Sequence, residues 1–334
     1  MNMNLQPGKL ALLAGLGVIY VVWGTTYLAI RLAIETIPPF SMVGARYLIT
    51  ALILFIWASV RKHQRPTLMD WKRSAVVGVL LIFFASGSIA WTEQFIPSGL
   101  VALIVASLPI WLALIDWLSS GASRPDRYTV SGFILGSIGV GCLSIMGEQG
   151  VLDNARIDGS LFLGILLLTG ASIAWAIGSL YSRKTETKTS LHYLIAMQAL
   201  TGGSLVMLLG IVRGEWNGFS ISQVSVSSLL ALGYLIVFGT IIAYSTYVWL
   251  IKVGNPTSVG TYAYVNPVIA LVLGAVLIGE PLNAQMLLGT GFILLAIFLV
   301  NKPTILMESF KSRLSILMVN PGKRKIQIDP SRCP

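Results

Sequence analysis

Ten stretches of this chain are each long and apolar enough to fill the hydrocarbon core of a bilayer, and little lies between them. A core of ~30 Å takes about 20 residues of helix. Runs of that length fall near residues 10–31, 40–60, 74–93, 97–118, 128–147, 160–182, 191–212, 228–250, 258–279 and 284–301. The linkers are too short to hold a soluble domain. With 55% hydrophobic and 11% charged residues, against roughly a quarter charged in soluble domains, the expected fold is an all-α integral membrane protein of ten transmembrane helices. The first run is too long for a signal-peptide core. It ends on Arg31 and Glu35 rather than on a small-residue cleavage site, so it is read as the first spanning helix.

The positive charge gives the expected orientation. With the N-terminus inside, cytoplasmic segments hold Lys9, then Arg61, Lys62, Arg65, Lys72 and Arg73, then Arg124 and Arg127, then Arg183, Lys184 and Lys188, then Lys252 and the basic tail. The outside holds only Arg31, Arg156 and Arg213. This bias predicts a multi-pass inner (plasma) membrane protein with both termini cytoplasmic. The net charge of +10 is then a topology signal. The basic loops lack interleaved aromatics, so they suit lipid headgroups and not nucleic acid. Residues 304–318 read as an amphipathic helix along the inner leaflet, within a cytoplasmic tail over 302–334. Cys142 and Cys333 suggest neither a disulfide nor a metal site, and no cofactor is expected.

The chain is written twice. One constant offset brings Trp23 onto Trp175 and Arg31 onto Arg183; a slightly larger one brings Trp91 onto Trp249 and Pro109 onto Pro267. Two five-helix repeats, over 10–147 and 160–301, are expected. Five is odd, so the halves enter the membrane in opposite senses. Inverted repeats of this kind characterise secondary transporters, with the solute site near the midplane between the halves.

The residues also carry a family resemblance. Trp23-Gly24-Thr25-Thr26-Tyr27 through Pro38-Pro39 to Arg46 resembles the opening of EamA-type members of the drug/metabolite transporter superfamily. So do Pro97-Ser98-Gly99-Leu100-Val101-Ala102-Leu103 and Tyr262-Ala263-Tyr264-Val265-Asn266-Pro267-Val268 followed by Gly279-Glu280. Within that family the chain is most similar to the YedA-like group of inner-membrane exporters. The resemblance covers roughly residues 10–301. It implies a central cavity lined mainly by the first, third and fourth helices and their repeat-related partners. Glu280 has no acidic counterpart in the first repeat, where Gly121-Ala122 stands, which favours a role in helix connection.

Candidate solute-binding residues follow from depth. Arg46 is the only Lys or Arg well inside an apolar segment, where insertion scales charge ~2.5–3.5 kcal/mol. It needs a partner or a solute. Tyr27, Arg46 and Glu93 lie in the outer third of their helices, with Trp23 a turn deeper than Tyr27. An Arg46–Glu93 pair is the preferred expectation; the alternative sets Arg46 on backbone carbonyls and Glu93 toward outer water. Tyr244, Tyr262 and Trp175 form an inner aromatic group. Pro109 and Pro267 should free the carbonyls of Val105 and Ala263, and broken backbone at that depth suits a cavity wall. Asn266 stands beside the second kink, with Tyr262 one turn earlier on the same face. Gly132, Gly136 and Gly139 in the fifth segment, and Gly289 and Gly291 in the tenth, suit close helix approach or a homodimer face.

Enzyme classes find little support. The histidines are His63, in a loop, and His192, at a span's edge; no Walker A, EF-hand or zinc spacing exists. A channel would favour filter-forming loops, and the linkers are too short and irregular. The reading is a secondary transporter exporting small amphipathic metabolites or amino acids by alternating access, with Glu93 the carboxylate best placed for proton coupling. A solute importer or exchanger, or a non-transporting receptor or scaffold, are the alternatives.

Overall fold

Helix is the only regular structure among the described residues, as apolar segments of bilayer length require. The computed structural model describes residues 8–96, 98–120, 124–145, 159–185, 187, 189–273 and 287–300. Gly279, Glu280, Arg156, Cys333 and the tail with its 304–318 segment lie outside them.

The first half comprises α1 (Lys9–Ala33), α2 (Pro39–Val60), α3 (Leu68–Thr92), the pair α4 (Ser98–Val105) and α5 (Leu108–Ser120), and α6 (Arg127–Ile145). The second comprises α7 (Gly159–Lys184), α8 (Leu191–Val212), α9 (Val226–Val253), the pair α10 (Pro256–Gly260) and α11 (Tyr262–Leu273), and α12 (Leu287–Val300). Among the described residues six helices are long and apolar enough to cross a membrane: α1, α2, α3, Phe162–Lys184 of α7, α8 and α9. Large side chains such as Leu52, Ile56, Leu208 and Phe298 point outward, which in water would be an aggregating surface and in lipid is the solvated one.

The helix starts are specified locally. Pro39 occupies the first turn of α2, where its missing N–H costs nothing. The N–H groups of Phe40 and Ser41, which have no acceptor within the helix, donate to the Glu215 carboxylate at 3.0 and 2.8 Å, a charge the helix N-terminus favours. Thr67 and Asp70 form a capping box at α3. The Asp70 carboxylate also accepts from Thr187 and Thr189 at 2.6 and 2.8 Å, which ties the start of α3 to the α7–α8 connection.

Two features break the helical regularity, each once per half. A π-helical segment interrupts α3 at Val79–Ser86 and α9 at Leu235–Ile242. The next segment of each half is split in two. In the first, α4 ends at Val105 and α5 resumes just ahead of Pro109, where the sequence places the kink. In the second, Pro267 lies inside α11, and the chain breaks roughly a turn and a half earlier, at Thr261. Thr261 holds it there, donating its hydroxyl to the Ser258 carbonyl at 2.6 Å and sharing a hydrogen bond with Tyr20 at 2.6 Å.

Packing brings α2 alongside α8, α3 against α7 and α8, and α1 between α9 and α11. Small residues let backbones approach, as expected for membrane helices. A Cβ on Gly132 would stand 3.0 Å from the Ala296 carbonyl, and one on Gly139 would stand 2.8 Å from that of Gly289. Gly132 and Gly139 therefore serve contact with α12 inside the chain, while Gly136 lies against the Tyr264 ring of α11.

Candidate functional site

A cavity of about 80 Å³ lies where the two halves meet, enough for several water-sized groups. Its wall draws on α1, α3, the α4–α5 break, α7, α9 and α11, the helices the resemblance implies, and on α2 as well. Of the eight sequence candidates, Trp23, Tyr27, Arg46, Trp175, Tyr262 and Asn266 line it; Glu93 and Tyr244 do not.

Arg46 enters from the second turn of α2 and is 6% exposed. Its Nε donates to Thr240 Oγ1 at 2.7 Å, and Thr240 Oγ1 donates on to the Leu235 carbonyl five residues back, within the π segment of α9. The guanidinium carbon is 5.0 Å from the centre of the Tyr47 ring. Nη2 lies 3.0 Å from where a Cβ on Gly239 would stand, so the absence of a side chain at Gly239 is what admits the cation. Neither Nη has a protein acceptor among the described residues. π segments cluster at functional sites because the wide turn releases backbone and redirects side chains. Here both serve the cavity: Ala85 and Ser86 come from the one in α3, Gly239 from the one in α9.

The expected Arg46–Glu93 pair is corrected. Among the described residues the two make no ion pair, and neither Glu93 carboxylate oxygen has a hydrogen-bond partner. Glu93 is fully buried, and its nearby charge is Arg31, whose Nη1 donates to the Glu93 backbone carbonyl. Depth along a helix gives the height of a side chain and not the neighbour it faces, which is why two groups at one level do not meet.

Rings meet in a group spanning α1, α7, α9 and α11. Trp23 meets Trp175 edge-on at 5.6 Å between ring centres, Tyr262 at 4.6 Å and Tyr247 at 5.0 Å. The two tryptophans that the sequence offset superposes thus touch across the halves. Tyr247 ties the group together, although sequence reasoning passed over it. Its oxygen lies 2.7 Å from Trp175 Nε1 and 2.6 Å from Ser179 Oγ. Tyr244 lies behind, donating to Gln198 Oε1 at 2.9 Å. Trp23 Nε1 donates to the Gly239 carbonyl at 3.1 Å. Beside this group Asn266 is 1% exposed; its side chain lies within hydrogen-bonding reach of the Tyr27 hydroxyl, while its Oδ1 has no partner among the described residues. A buried amide oxygen left unbonded costs about 1–3 kcal/mol, which a solute donor would offset.

An all-helical membrane bundle with a polar and aromatic cavity between two like halves defines a transporter class. The chain belongs to the EamA-like transporter family, whose model matches it twice, over residues 10–145 and 162–302. The "Uncharacterized inner membrane transporter YedA" of Escherichia coli (strain K12) is 34% identical over 87% of this chain and 90% of its own. The "Uncharacterized transporter YvbV" of Bacillus subtilis (strain 168) is 29% identical over 86% and 90%. A Salmonella typhimurium protein named "Probable amino-acid metabolite efflux pump" is 24% identical over 89% and 95%. A solved crystal structure, 18% identical, superposes with a TM-score of 0.73 over 90% of this chain and 100% of its own, a likeness of fold. The chain is a membrane transporter, and its family implies a small-molecule solute and a lipid environment.

Proposed function

We propose that this chain is a secondary transporter that exports small amphipathic metabolites or amino acids across the inner membrane by alternating access. The observation that carries this reading is the cavity wall. It holds a buried guanidinium with unclaimed N–H groups at Arg46 and an unpartnered amide oxygen at Asn266, beside rings from both halves. Buried polar groups without partners are costly unless something arrives to bind them. On this reading the chain spans the membrane ten times, as two inverted repeats over 10–147 and 160–301, with both termini and the 302–334 tail in the cytoplasm. Rocking one repeat against the other at the Trp23–Trp175 contact would expose the cavity to each side in turn. Glu93, buried and unbonded, is the carboxyl through which a proton gradient would act.

Efflux of labelled metabolites from proteoliposomes, with and without a pH gradient, tests the reading. Saturable flux supports it, and flux no faster than from protein-free liposomes refutes it. Reporter fusions after Lys62, Arg127 and Lys302 should report cytoplasm, and those near Glu35 or Asp153 the outside. Any other pattern removes the inverted arrangement.

A further inference from the structure

Resting on the transport reading of this cavity, and narrowing its cargo from metabolites or amino acids to organic acids, we infer that the preferred cargo is a small, flat monocarboxylate carrying one hydrogen-bond donor at its far end, favoured over cations and zwitterions. The charge on the wall is one-sided. Among the described residues Arg46 is its single Lys or Arg, and neither Asp nor Glu lines it. Thr240 occupies Nε, which leaves the two Nη groups as a fork, and a planar fork of N–H groups matches a carboxylate better than any neutral acceptor. Among the described residues an ammonium group would find no carboxylate on this wall. The acceptors it would meet are the Gly239 carbonyl, which already takes the Trp23 indole N–H, the Tyr47 ring, which already receives Arg46, and the neutral amide oxygen of Asn266, and none of these supplies a counter-charge.

The second polar contact is of opposite kind. Asn266 Oδ1 accepts and has no donor, so it calls for a hydroxyl or N–H on the cargo. The same wall carries the rings of Tyr27, Trp23, Trp175 and Tyr262. Edge-to-face ring packing is the natural way to add one more flat group to such a cluster. Carboxylate at Arg46, ring among rings and donor at Asn266 together describe the cargo class.

Five probes differing by one group each test this against the purified full-length protein by equilibrium dialysis: 4-hydroxyphenylacetate, phenylacetate, 4-hydroxyphenylacetamide, tyramine and tyrosine. The expected order places 4-hydroxyphenylacetate first, with the amide, tyramine and tyrosine roughly tenfold or more weaker, since each lacks the net anion. Arg46→Gln should erase that advantage and Arg46→Lys should restore part of it. Asn266→Leu should make 4-hydroxyphenylacetate and phenylacetate bind alike. Tyramine or tyrosine binding as well as 4-hydroxyphenylacetate in wild type overturns the inference, and this arm needs no variant to fold. Carboxylate binding unchanged in Arg46→Gln, or no saturable binding of either carboxylate, overturns it too. A Ser86→Cys variant, with Cys142 and Cys333 replaced by Ser, separates this failure from that of the transport reading. If alkylating Ser86→Cys blocks flux of some other solute, only the cargo class falls; if it alters no solute's flux, the cavity is not the transport site.

Discussion

Arg46 is legible in the sequence because a cation inside an apolar run has few explanations, and the structure gives it a cavity. Its partner is not legible. Thr240 reaches it only because α9 opens into a π turn, and no composition signal marks that turn. Tyr247 is not legible either: it stands one turn from Tyr244 on the same helix, and both rings touch Trp175, at 6.3 Å for Tyr244 and 5.5 Å for Tyr247 between centres, but only Tyr247 also meets Trp23. Two measurements follow at this scale. Asn266→Leu should leave the protein inserted and folded while cutting solute flux severalfold or more, because it removes the unpartnered acceptor; normal flux would take Asn266 out of the site. In thermal-stability double-mutant cycles, Arg46→Gln and Glu93→Gln should add within ~0.5 kcal/mol, since they share no partner. Arg31→Gln and Glu93→Gln should not, because Arg31 is the charge beside Glu93.

Four elements were readable from length alone, since bilayer thickness fixes how long an apolar helix must be. Observed α1, α2, α7 and α8 lie within two residues of the expected ends. Their neighbours were not readable, because a helix apolar on every side carries no stripe to say which face is inward. Small residues supply part of that information. Where α3 crosses α8, a Cβ on Gly202 would fall against the Gly78 carbonyl oxygen and 2.5 Å from Ile82 Cβ. Gly202→Ala should therefore destabilise the bundle by about 1–3 kcal/mol, seen as a lower unfolding temperature in detergent. Gly17→Ala, with nothing within 4 Å of the added methyl, should be neutral or stabilising by up to ~1 kcal/mol, since alanine is the better helix former. Equal effects at the two positions would mean the crossing is looser than it is drawn here. The break at Thr261 carries the complementary lesson. Proline at 267 marked the region, yet two side-chain hydrogen bonds decided where the helix parts.

At the scale of the whole molecule, duplication sets the site. Both π segments, both broken helices and both offset-related tryptophans converge on one cavity, so each half supplies part of its wall, and on the proposed reading the cargo sits between them. A monoanion leaving through that cavity moves one negative charge outward. An inside-negative potential favours this by ~2.3 kcal/mol per 100 mV, and a proton entering in exchange would add to the drive. The most direct test is efflux of labelled 4-hydroxyphenylacetate from proteoliposomes holding purified protein, with the potential clamped. The account predicts saturable efflux that accelerates when the lumen is made negative, and that falls roughly tenfold or more in Arg46→Gln. Efflux indifferent to the Arg46 substitution, or equal to that from protein-free liposomes, would contradict it.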